Sequence, residues 1–468
     1  MYTKKKHFHF VGIGGIGMSG IATILQQEGY TISGCDPDIT QDTVKKLQKL
    51  GCSIYHDNNS PQCDDQTIDI LVYIPMYATT IPTIMAEIKQ AKARNIPTIS
   101  RANMLSELMQ TKYSIAISGS HGKTTTSSLI SHLLIEAQRD PTVIIGGQLK
   151  NISSNARKGN GNLLVAEADE SDRSFLELHP TVAIITNIDL EHLETYTDLD
   201  DIKSSFQQFI NNISYNGKAI ICIDDKNIRS LLPIHNVQTL SYGIDHPADF
   251  SARTITLAPD HSSFSVYTQN NSLLIDNIIL PIPGIHNVYN ALAAIALAQE
   301  LAIDSTIIKK GLASFSGVER RFSFLGTYKD AELFDDYGHH PTEIELTLII
   351  ARKRTKNKLI VVFQPHRYTR TQKLWSDFLA IFIASNIDTL IITDIYSAGE
   401  QPINNISSKL FAEELQSLSP SFSILYVPFE DNFNQIKAVI KDSVTQNDLV
   451  LFLGAGKVHI IGHELTVQ

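Results

Sequence analysis

The chain has 468 residues, of which 43% are hydrophobic and 19% are charged. This length accommodates roughly three domains of about 150 residues each, and the composition excludes collagen, coiled coils and a wholly disordered chain. With 39 Lys and Arg against 49 Asp and Glu, the net charge of -10 lacks the basic footprint of a nucleic-acid-binding protein. Any anionic ligand must therefore be held by local groups.

Several features indicate a cytoplasmic protein with neither nucleic acid nor a membrane as a partner. No stretch reaches the ~20 apolar residues that a membrane-spanning helix needs. The basic residues 4–6 and the apolar residues after them imitate a signal peptide, but His7 and His9 interrupt the pattern. The four cysteines show no CxxC pair and no metal-ligand spacing, which favours a reducing compartment. A basic run at 352–358 is expected to be the solvated end of a helix.

Strand-like runs rich in β-branched and aromatic residues alternate with helical patterns along most of the chain. This alternation is typical of parallel sheets with crossover helices, so the predicted fold class is α/β. We predict three domains: a Rossmann-like N-terminal domain (1–109), a central P-loop ATPase-type α/β domain (110–322) and a C-terminal Rossmann-like domain (323–468). Within the central domain, alternating polar and apolar residues at 248–282 predict an antiparallel patch with a hairpin turn at Asn270-Asn271. The main predicted strands are 8–11, 31–34, 96–99, 113–117, 163–166, 182–186, 331–335, 359–363, 389–393 and 449–453.

The first predicted strand runs into a glycine-rich turn before a helix at about 18–27. Gly12, Gly14 and Gly17 match the dinucleotide fingerprint, in which backbone amides at a helix N-terminus bind a diphosphate. Asp36 falls at the end of the next strand, where an acid that binds a ribose would stand. The spacing alone favours a diphosphate ligand and makes NAD a candidate, while close packing of strand and helix is the structural alternative.

A second glycine turn follows the strand at 113–117. A phosphate-binding loop needs free backbone amides, a lysine for the β- and γ-phosphates and a hydroxyl for Mg²⁺, and Gly122, Lys123 and Thr124 supply these groups. Ile117 stands where the full Walker pattern has glycine, so the motif is a shortened variant. The sequence therefore predicts an ATP site here.

Acidic residues crowd the ends of the next two predicted strands. Glu167, Asp169 and Glu170 follow the strand at 163–166, and a segment with Asp189, Glu191 and His192 follows the strand at 182–186. Clustered carboxylates repel one another unless a cation lies among them, although exposed acidic loops are also common. We expect a metal site here. His192 is a further candidate ligand because it follows a strand beside the glycine loop.

Seven motifs in the same order resemble those of the Mur ligase family, and the resemblance covers essentially the whole chain. They are Gly14-Gly15-Ile16-Gly17-Met18-Ser19, Gly122-Lys123-Thr124-Thr125-Thr126, Glu167-Ala168-Asp169-Glu170-Ser171-Asp172, Gly284-Ile285-His286-Asn287-Val288, Gly317-Val318-Glu319-Arg320-Arg321-Phe322, Asp335-Asp336-Tyr337-Gly338-His339-His340-Pro341 and Gln364-Pro365-His366-Arg367-Tyr368-Thr369-Arg370.

The resemblance implies an ATP-dependent amide ligase of peptidoglycan precursor synthesis. Such an enzyme transfers the γ-phosphoryl group of ATP to a carboxylate, and the amine of an amino acid attacks the resulting acyl phosphate. The branch that the chain most resembles joins L-alanine to the lactyl carboxylate of UDP-N-acetylmuramate, which we expect as substrates together with ATP and one or two Mg²⁺ ions. The first glycine turn then holds the UDP end of the sugar nucleotide instead of NAD. A monomer or weak homodimer is expected.

The resemblance also implies a role for individual residues. Expected catalytic residues are Lys123, Glu167, His192, Arg320 and His339, and expected metal ligands are Thr124, Glu167 and His192. Expected ATP-binding residues are Gly119, Ser120, His121, Gly122, Lys123, Thr124, Thr125, His286, Asn287, Asn290, Arg321 and Asp336. Expected contacts to the sugar nucleotide are Gly14, Gly15, Ile16, Gly17, Met18, Ser19 and Asp36. Expected contacts to the amino acid are Tyr337, His366, Arg367 and Arg370, where two guanidinium groups at a helix start could bind a carboxylate.

Some features depart from the family pattern or leave alternatives open. Pro75-Met76 and Lys457 depart from it, and Lys203 is not assigned the carbamylated-lysine role known in some relatives. The alternatives are a ligase that attaches a preformed murein peptide, an NAD-dependent oxidoreductase and a nucleotide-switched binding protein. The oxidoreductase hypothesis gives no function to the Lys123 loop. The residues also leave open the choice among L-alanine, L-serine and glycine, because one methyl group discriminates modestly.

Overall fold

The computed structural model describes residues 6–56, 67–75, 81–149, 154–192, 194–418, 421–430 and 432–466. Cys63 and the predicted departure at Met76 lie outside these ranges. The chain forms two compact units: unit 1 comprises Met1–Thr256, Ser263–Pro281 and Ile285–Ser316, and unit 2 comprises Leu257–Ser262, Ile282–Gly284 and Gly317–Gln468. In the described part of the chain, no helix is long and apolar enough to cross a membrane.

The first sheet of unit 1 has five strands in the order β3-β2-β1-β4-β5, and all neighbouring pairs are parallel. Its strands are β1 (His7–Val11), β2 (Thr31–Asp36), β3 (Ser53–His56), β4 (Ile70–Tyr73) and β5 (Thr98–Ser100). Its helices are α1 (Ile16–Gln27), α2 (Asp42–Lys49), α3 (Pro82–Ala93) and α4 (Arg101–Gln110). The strand order reverses between β1 and β4, and ligands of doubly wound sheets bind outside the carboxyl ends of the strands at such a point.

The second sheet of unit 1 has ten strands in the order β15-β14-β13-β12-β11-β10-β6-β9-β7-β8. Its strands are β6 (Tyr113–Ser118), β7 (Thr142–Leu149), β8 (Ser154–Arg157), β9 (Leu163–Glu167), β10 (Val182–Ile185), β11 (Lys218–Cys222), β12 (Gln238–Gly243), β13 (Phe250–Leu257), β14 (Ser262–Thr268) and β15 (Leu273–Leu280). Its helices are α5 (Lys123–Glu136), α6 (Leu199–Asn211), α7 (Lys226–Arg229), α8 (Ile285–Glu300) and α9 (Ser305–Ala313).

The middle of this sheet is parallel and deeply buried. β6 lies between β9 and β10, and the side chains of Ile115 and Ile117 are fully buried. At the far edge, β13, β14 and β15 are joined by four-residue connections, which allow only antiparallel pairing. The connection at 269–272 contains the predicted Asn270-Asn271 turn, with Asn271 at φ 58°. The antiparallel patch predicted from the sequence is therefore confirmed.

Unit 2 has a six-stranded sheet in the order β16-β17-β21-β18-β19-β20. Its strands are β16 (Ser323–Tyr328), β17 (Ala331–Asp336), β18 (Leu359–Phe363), β19 (Thr389–Ile392), β20 (Ser423–Tyr426) and β21 (Leu449–Leu453). Its helices are α10 (Pro341–Arg354), α11 (Tyr368–Lys373), α12 (Trp375–Ala384), α13 (Ser408–Leu418), α14 (Asn434–Ser443) and α15 (His459–Thr466). The basic run at 352–358 begins at the end of α10 and precedes β18, as predicted.

The sequence analysis missed two strands of unit 2, β16 and β20. It opened the third sheet at β17, but β16 precedes β17 and pairs with it in antiparallel register, so that Tyr328 lies opposite Ala331. β16 was overlooked because its outer face is exposed, as at Phe324, and because Gly326 interrupts its alternation with a bulge. The α/β fold class is confirmed.

Candidate active site

The second glycine turn of unit 1 connects β6 to α5. Gly122 is the N-cap of α5 at φ 82°, a left-handed conformation in which a side chain would be strained. A Cβ atom on Gly122 would also come within 2.6 Å of Asn290 Oδ1 on α8. Asn187 supports the turn from β10, because its Oδ1 accepts a hydrogen bond of 2.8 Å from the His121 amide. The loop is therefore shaped by contacts from two other elements.

Lys123 lies at the first position of α5, and its ammonium group faces back into the loop. Nζ donates to the carbonyl oxygens of Gly119 at 2.7 Å and Ser120 at 3.2 Å, and to Glu170 Oε1 at 2.8 Å. Burial lowers the pKa of Lys123, but the carboxylates of Glu170 and Asp169 outweigh burial and raise it. The lysine is thus permanently charged and held where phosphate oxygens would contact it.

Glu167 and Thr124 form the oxygen-rich side of the loop. Thr124 Oγ1 donates to Glu167 Oε1 at 3.1 Å, and Glu167 Oε2 accepts from the Gly146 amide at 2.9 Å. Burial raises the pKa of Glu167 above its ordinary value, although Lys123 opposes that shift. A hydroxyl and a carboxylate are hard oxygen ligands of the kind that Mg²⁺ prefers.

His192 lies beside the same acidic residues, at φ 54°. Its Nε2 is 3.5 Å from Glu170 Oε1, and ligand atoms of Glu170, Glu191 and His192 all lie within 4.8 Å of one another. Burial lowers the pKa of His192, but hydrogen bonds with Glu170 and Glu194 prevail and raise it to about 9. Among the described residues, the buried Oε2 of Glu170 has no hydrogen-bond partner. This arrangement of acids, histidine and orphaned oxygen fits a divalent cation.

Three predicted ATP-binding residues lie at the start of α8. Asn290 accepts a 3.1 Å hydrogen bond from Thr126 Oγ1 through Oδ1 and donates through Nδ2 to Asn287 Oδ1 at 3.2 Å. Both asparagines are buried, and His286 is half-buried. The structure therefore brings α8 directly against the phosphate loop, as expected for an ATP site.

The first glycine turn is closed by Asp36. Its Oδ2 accepts from the Gly14 amide at 2.8 Å, and its Oδ1 accepts from the Asp38 amide at 2.9 Å. A Cβ atom on Gly14 would lie 2.8 Å from Asp36 Oδ2, so the close approach requires glycine. Gly15 and Ile16 at the start of α1 are exposed, whereas Met18 and Ser19 are buried. Asp36 is only 4% exposed, and its observed contacts hold the turn.

In unit 2, Arg320 is fixed by the ends of two strands. Its Nε donates to Asp335 Oδ2 at 3.3 Å, its Nη2 donates to the Gly454 carbonyl at 2.7 Å, and the guanidinium lies 4.8 Å from the Tyr337 ring centroid. Burial raises the pKa of Asp335 to about 7, against the opposing effect of Arg320. Asp336 accepts from the Phe322 and Gly338 amides, so its carboxylate holds the backbone of the turn.

His339 and His366 lie beside each other at the carboxyl ends of β17 and β18. Their ring centroids are 5.8 Å apart, and His366 stacks on Tyr396 at 5.5 Å. Arg370 Nη1 is 3.2 Å from His366 Nδ1. Burial first, and then Arg370 and Arg367, lower the pKa of His366 to about 3, and burial also lowers the pKa of His339. Both imidazoles are therefore neutral beside permanent positive charges.

Four further residues of unit 2 were singled out in the sequence: Arg367, Arg321, His340 and Lys457. Arg367 is the N-cap of α11 at φ 70°, and its amide donates to the Tyr396 carbonyl at 2.8 Å. Arg321 Nη1 is 3.4 Å from Glu343 Oε1. His340 is the N-cap of α10, where its side chain accepts from the Thr342 amide, and it is buried. Lys457 has an exposed side chain, and its amide donates to Gln364 Oε1 at 2.8 Å.

Family models match the chain in three consecutive segments. The Mur ligase family catalytic domain matches residues 7–113, the Mur ligase middle domain matches residues 117–298, and the Mur ligase glutamate ligase domain matches residues 320–456. The chain belongs to the Mur ligase family. The resemblance predicted from the seven motifs is confirmed.

Individual Mur ligases are similar over nearly the full length. The UDP-N-acetylmuramate--L-alanine ligase of Syntrophus aciditrophicus is 43% identical over 465 residues, which are 99% of this chain and 94% of that protein. That of Aquifex aeolicus is 43% identical over 454 residues, covering 97% of this chain and 95% of that protein. The crystal structure of the UDP-N-acetylmuramate-alanine ligase of Thermotoga maritima has a TM-score of 0.81 at 28% identity and covers 98% of each chain.

Sequence reasoning did not name two residues that the structure places beside the glycine turns of unit 1. Glu170 was counted in the acidic cluster but was not named as a site residue, although its carboxylate binds Lys123. Arg101 was not considered at all, yet its guanidinium lies so close to the first glycine turn that a Cβ atom on Gly17 would come within 2.6 Å of Nη1. No short sequence motif predicts either contact, because each contact joins two segments that are distant in the sequence.

Proposed function

We propose that this Mur ligase joins L-alanine to the lactyl carboxylate of UDP-N-acetylmuramate, at the expense of ATP and through an acyl phosphate. Support comes from the names of full-length relatives at 43% identity and from the lysine-bearing phosphate loop of unit 1. The observation that carries the proposal is the Lys123 ammonium, held in the loop between two backbone carbonyls and Glu170.

The phosphate loop is proposed to bind the phosphates of ATP with Lys123 and the amides of residues 119–125. Thr124, Glu167 and His192 are the proposed metal ligands, and Glu170 is added to this group because its Oε2 is buried and lacks a described partner. Mg²⁺, when bound there, supplies charge neutralisation for the phosphoryl group. Lys123 supplies a second fixed positive charge, and positioning with charge stabilisation accounts for most of the catalysis in phosphoryl transfer. His286, Asn287 and Asn290 are the proposed adenosine-side contacts.

The first glycine turn is proposed to bind the diphosphate of the sugar nucleotide. Amides at the N-terminus of α1 face such a ligand, and the helix dipole favours its negative charge. Arg101 adds a guanidinium beside Gly17, which suits the phosphates of such a ligand. Asp36 acts by holding Gly14 in place.

The histidine and arginine cluster of unit 2 is proposed to bind the amino acid. Arg370 and Arg367 supply charge for its carboxylate, with Tyr337 and His366 lining the site. Because His339 and His366 remain neutral, they add no positive charge against the incoming ammonium group, which must lose a proton before it attacks. Arg320 is proposed as a catalytic residue, and Arg321 and Asp336 are proposed as ATP-binding residues.

We also propose the domain limits 1–109, 110–322 and 323–468, which agree closely with the segments matched by the three family models. A cytoplasmic enzyme that acts as a monomer or weak homodimer completes the proposal. Cys35, Cys52 and Cys222 are buried and form no disulfide in the described part of the chain, which suits a reducing compartment.

A phosphate-release assay with ATP, Mg²⁺, UDP-N-acetylmuramate and each amino acid in turn tests the function. We expect release only when both co-substrates are present, fastest with L-alanine, together with a UDP-N-acetylmuramoyl-L-alanine product seen by mass spectrometry. Preference for a preformed murein peptide would instead identify the wall-recycling activity. ATP turnover without either co-substrate would favour a nucleotide switch, and absorbance changes with NADH would favour an oxidoreductase.

A further inference from the structure

Tyr196 lies in the connection between β10 and α6 of unit 1, and it is only 2% exposed. Its hydroxyl group donates a hydrogen bond of 2.6 Å to the carbonyl oxygen of Glu170, on the segment that follows β9. Its backbone amide donates a hydrogen bond of 2.9 Å to the carbonyl oxygen of His192, on the segment that follows β10. One buried residue therefore binds both segments that carry the proposed metal ligands Glu170 and His192.

The sheet alone would leave these two segments apart. In the strand order of the second sheet, β6 lies between β9 and β10. Neighbouring strands are about 4.8 Å apart, so the carboxyl ends of β9 and β10 are separated by about 10 Å. The side-chain atoms Glu170 Oε1 and His192 Nε2 are nevertheless only 3.5 Å apart. Contacts outside the sheet must therefore bring the two segments together, and the two hydrogen bonds of Tyr196 are contacts of this kind.

The backbone of His192 also depends on this turn. At φ 54° it is in the left-handed region, which residues other than glycine adopt only where surrounding contacts hold them there. The carbonyl oxygen of His192 accepts from the amides of Thr195 at 2.8 Å and Tyr196 at 2.9 Å. Because Tyr196 is in turn fixed to Glu170 by its hydroxyl group, the strained residue is held relative to the acidic segment.

Arg173 holds the Tyr196 ring in the orientation that this contact needs. Its guanidinium carbon lies 4.5 Å from the centroid of the ring. Its Nη2 donates to the Thr195 carbonyl oxygen at 3.3 Å and pairs with the carboxylate of Asp201 on α6. The backbone amide of Arg173 donates to the Glu170 carbonyl oxygen at 3.1 Å. Arg173 thus covers the ring and joins the same two segments, which keeps the hydroxyl group of Tyr196 within reach of Glu170.

We propose that Tyr196 is a positioning residue for the divalent cation beside the phosphate loop, because it sets the separation of Glu170 and His192 so that both reach one ion. The inference rests on the proposed function, of which this cation site is a part. Tyr196 acts through the backbone of the two ligands, since its hydroxyl hydrogen is donated to a carbonyl oxygen. A tyrosine that serves only the stability of the fold is the alternative outcome of the test.

The test compares Tyr196→Phe with the wild type in the full-length protein. The substitution keeps the ring beneath Arg173 and removes only the hydroxyl group. Mn²⁺ serves as the probe, and its binding in the presence of ADP is followed by electron paramagnetic resonance of the free ion. We expect the Kd for Mn²⁺ to rise about tenfold, as for other residues that orient metal ligands. The Mg²⁺ concentration for half-maximal activity should rise in parallel, and most of kcat should return at saturating Mg²⁺.

Tyr242→Phe is the matched control, because Tyr242 on β12 is also buried, at 1% exposure. This variant should bind Mn²⁺ as the wild type does, even if its Tm falls. Unchanged Mn²⁺ affinity in folded Tyr196→Phe, or equal weakening in both variants, would show that the hydroxyl group serves stability alone and would overturn the proposal. Because Mn²⁺ binding is measured without UDP-N-acetylmuramate or L-alanine, an error in the proposed substrates would leave this result unaffected.

A measurement on the wild type decides the question if Tyr196→Phe fails to fold. The amides of Thr195 and Tyr196 both donate to the His192 carbonyl oxygen, so an ion that fixes His192 should slow their hydrogen exchange. We expect slower exchange of these two amides with ADP and Mg²⁺ than with ADP alone. Equal exchange under the two conditions would contradict a link between this turn and the cation.

Discussion

The phosphate loop of unit 1 and the histidine cluster of unit 2 shift the pKa of a histidine in opposite directions. In unit 1, Glu170 and Glu194 raise the pKa of His192 to about 9 despite burial. In unit 2, burial together with Arg370 and Arg367 lowers the pKa of His366 to about 3. Carboxylates surround His192 in the first site, and arginines lie beside His366 in the second. The net charge of -10 predicts neither, because each is made by a few local groups.

This contrast suits the proposed reaction, in which the amine of an amino acid is joined to the carboxylate of a second substrate. Phosphoryl transfer is proposed to occur beside Lys123 and the acidic residues, and the amino acid is proposed to bind beside the arginines of unit 2. Four substitutions test the contrast.

Lys123→Ala has the largest expected effect, since it removes the fixed positive charge of the phosphate loop. We expect turnover to fall on the order of a thousandfold or more, while binding of UDP-N-acetylmuramate persists. Phosphate release and calorimetric binding of the sugar nucleotide measure the two effects. The matched control is Lys310→Ala, an exposed lysine on α9. Retained activity in Lys123→Ala would contradict the phosphate-binding role.

Arg370→Ala tests the histidine cluster of unit 2. Loss of a charge-assisted hydrogen bond to the amino-acid carboxylate should lower kcat/KM for L-alanine by about 10- to 100-fold. The effect should lie mainly in KM for L-alanine, with KM for ATP nearly unchanged. Arg352→Ala, at the surface-exposed end of α10, serves as the control. An equal rise in the two KM values would show that Arg370 does not discriminate between the substrates.

Glu170→Gln tests the origin of the raised pKa in unit 1. Without the Glu170 charge, fewer carboxylates counteract the effect of burial on the His192 pKa. This pKa should therefore fall from about 9 by at least one unit, which is about tenfold in proton affinity. NMR titration of the imidazole measures this change in the metal-free protein. Glu194→Gln should cause a smaller change, because the Glu194 side chain is 39% exposed and that of Glu170 is 3% exposed. A larger change in Glu194→Gln would reverse the assignment.

His366→Gln tests the lowered pKa in unit 2, and its effect on the pH dependence of stability should appear only at acidic pH. The unfolded chain takes up a proton on this histidine near pH 6.5, whereas the folded chain does so only near pH 3. The free energy of unfolding should therefore decrease as pH falls between these values, by up to about 1.4 kcal/mol per pH unit from this group. Urea unfolding across that range should show a shallower dependence in His366→Gln. His463→Gln, at an exposed position on α15, should retain the wild-type slope.

Local patterns in the sequence were sufficient for the fold class and for the two glycine turns. The residues of a phosphate loop are contiguous between a buried strand and a helix, so Gly122, Lys123 and Thr124 are recognisable without a structure. The alternation of polar and apolar residues at 248–282 likewise predicted the antiparallel patch without a structure. β16 escaped because an exposed edge strand with a bulge carries a weak period-2 signal.

What the sequence alone determined is the set of elements and the chemistry carried by each contiguous motif. Only the tertiary structure decided which residues share an environment: Glu170 with Lys123, Arg101 with Gly17, Asp335 with Arg320, and Tyr196 with Glu170. The physical reason is that hydrogen bonds, charge and coordination act over a few ångströms, whereas these partners are separated by tens of residues. Their proximity follows from sheet order, strand register and helix packing, which no short motif encodes.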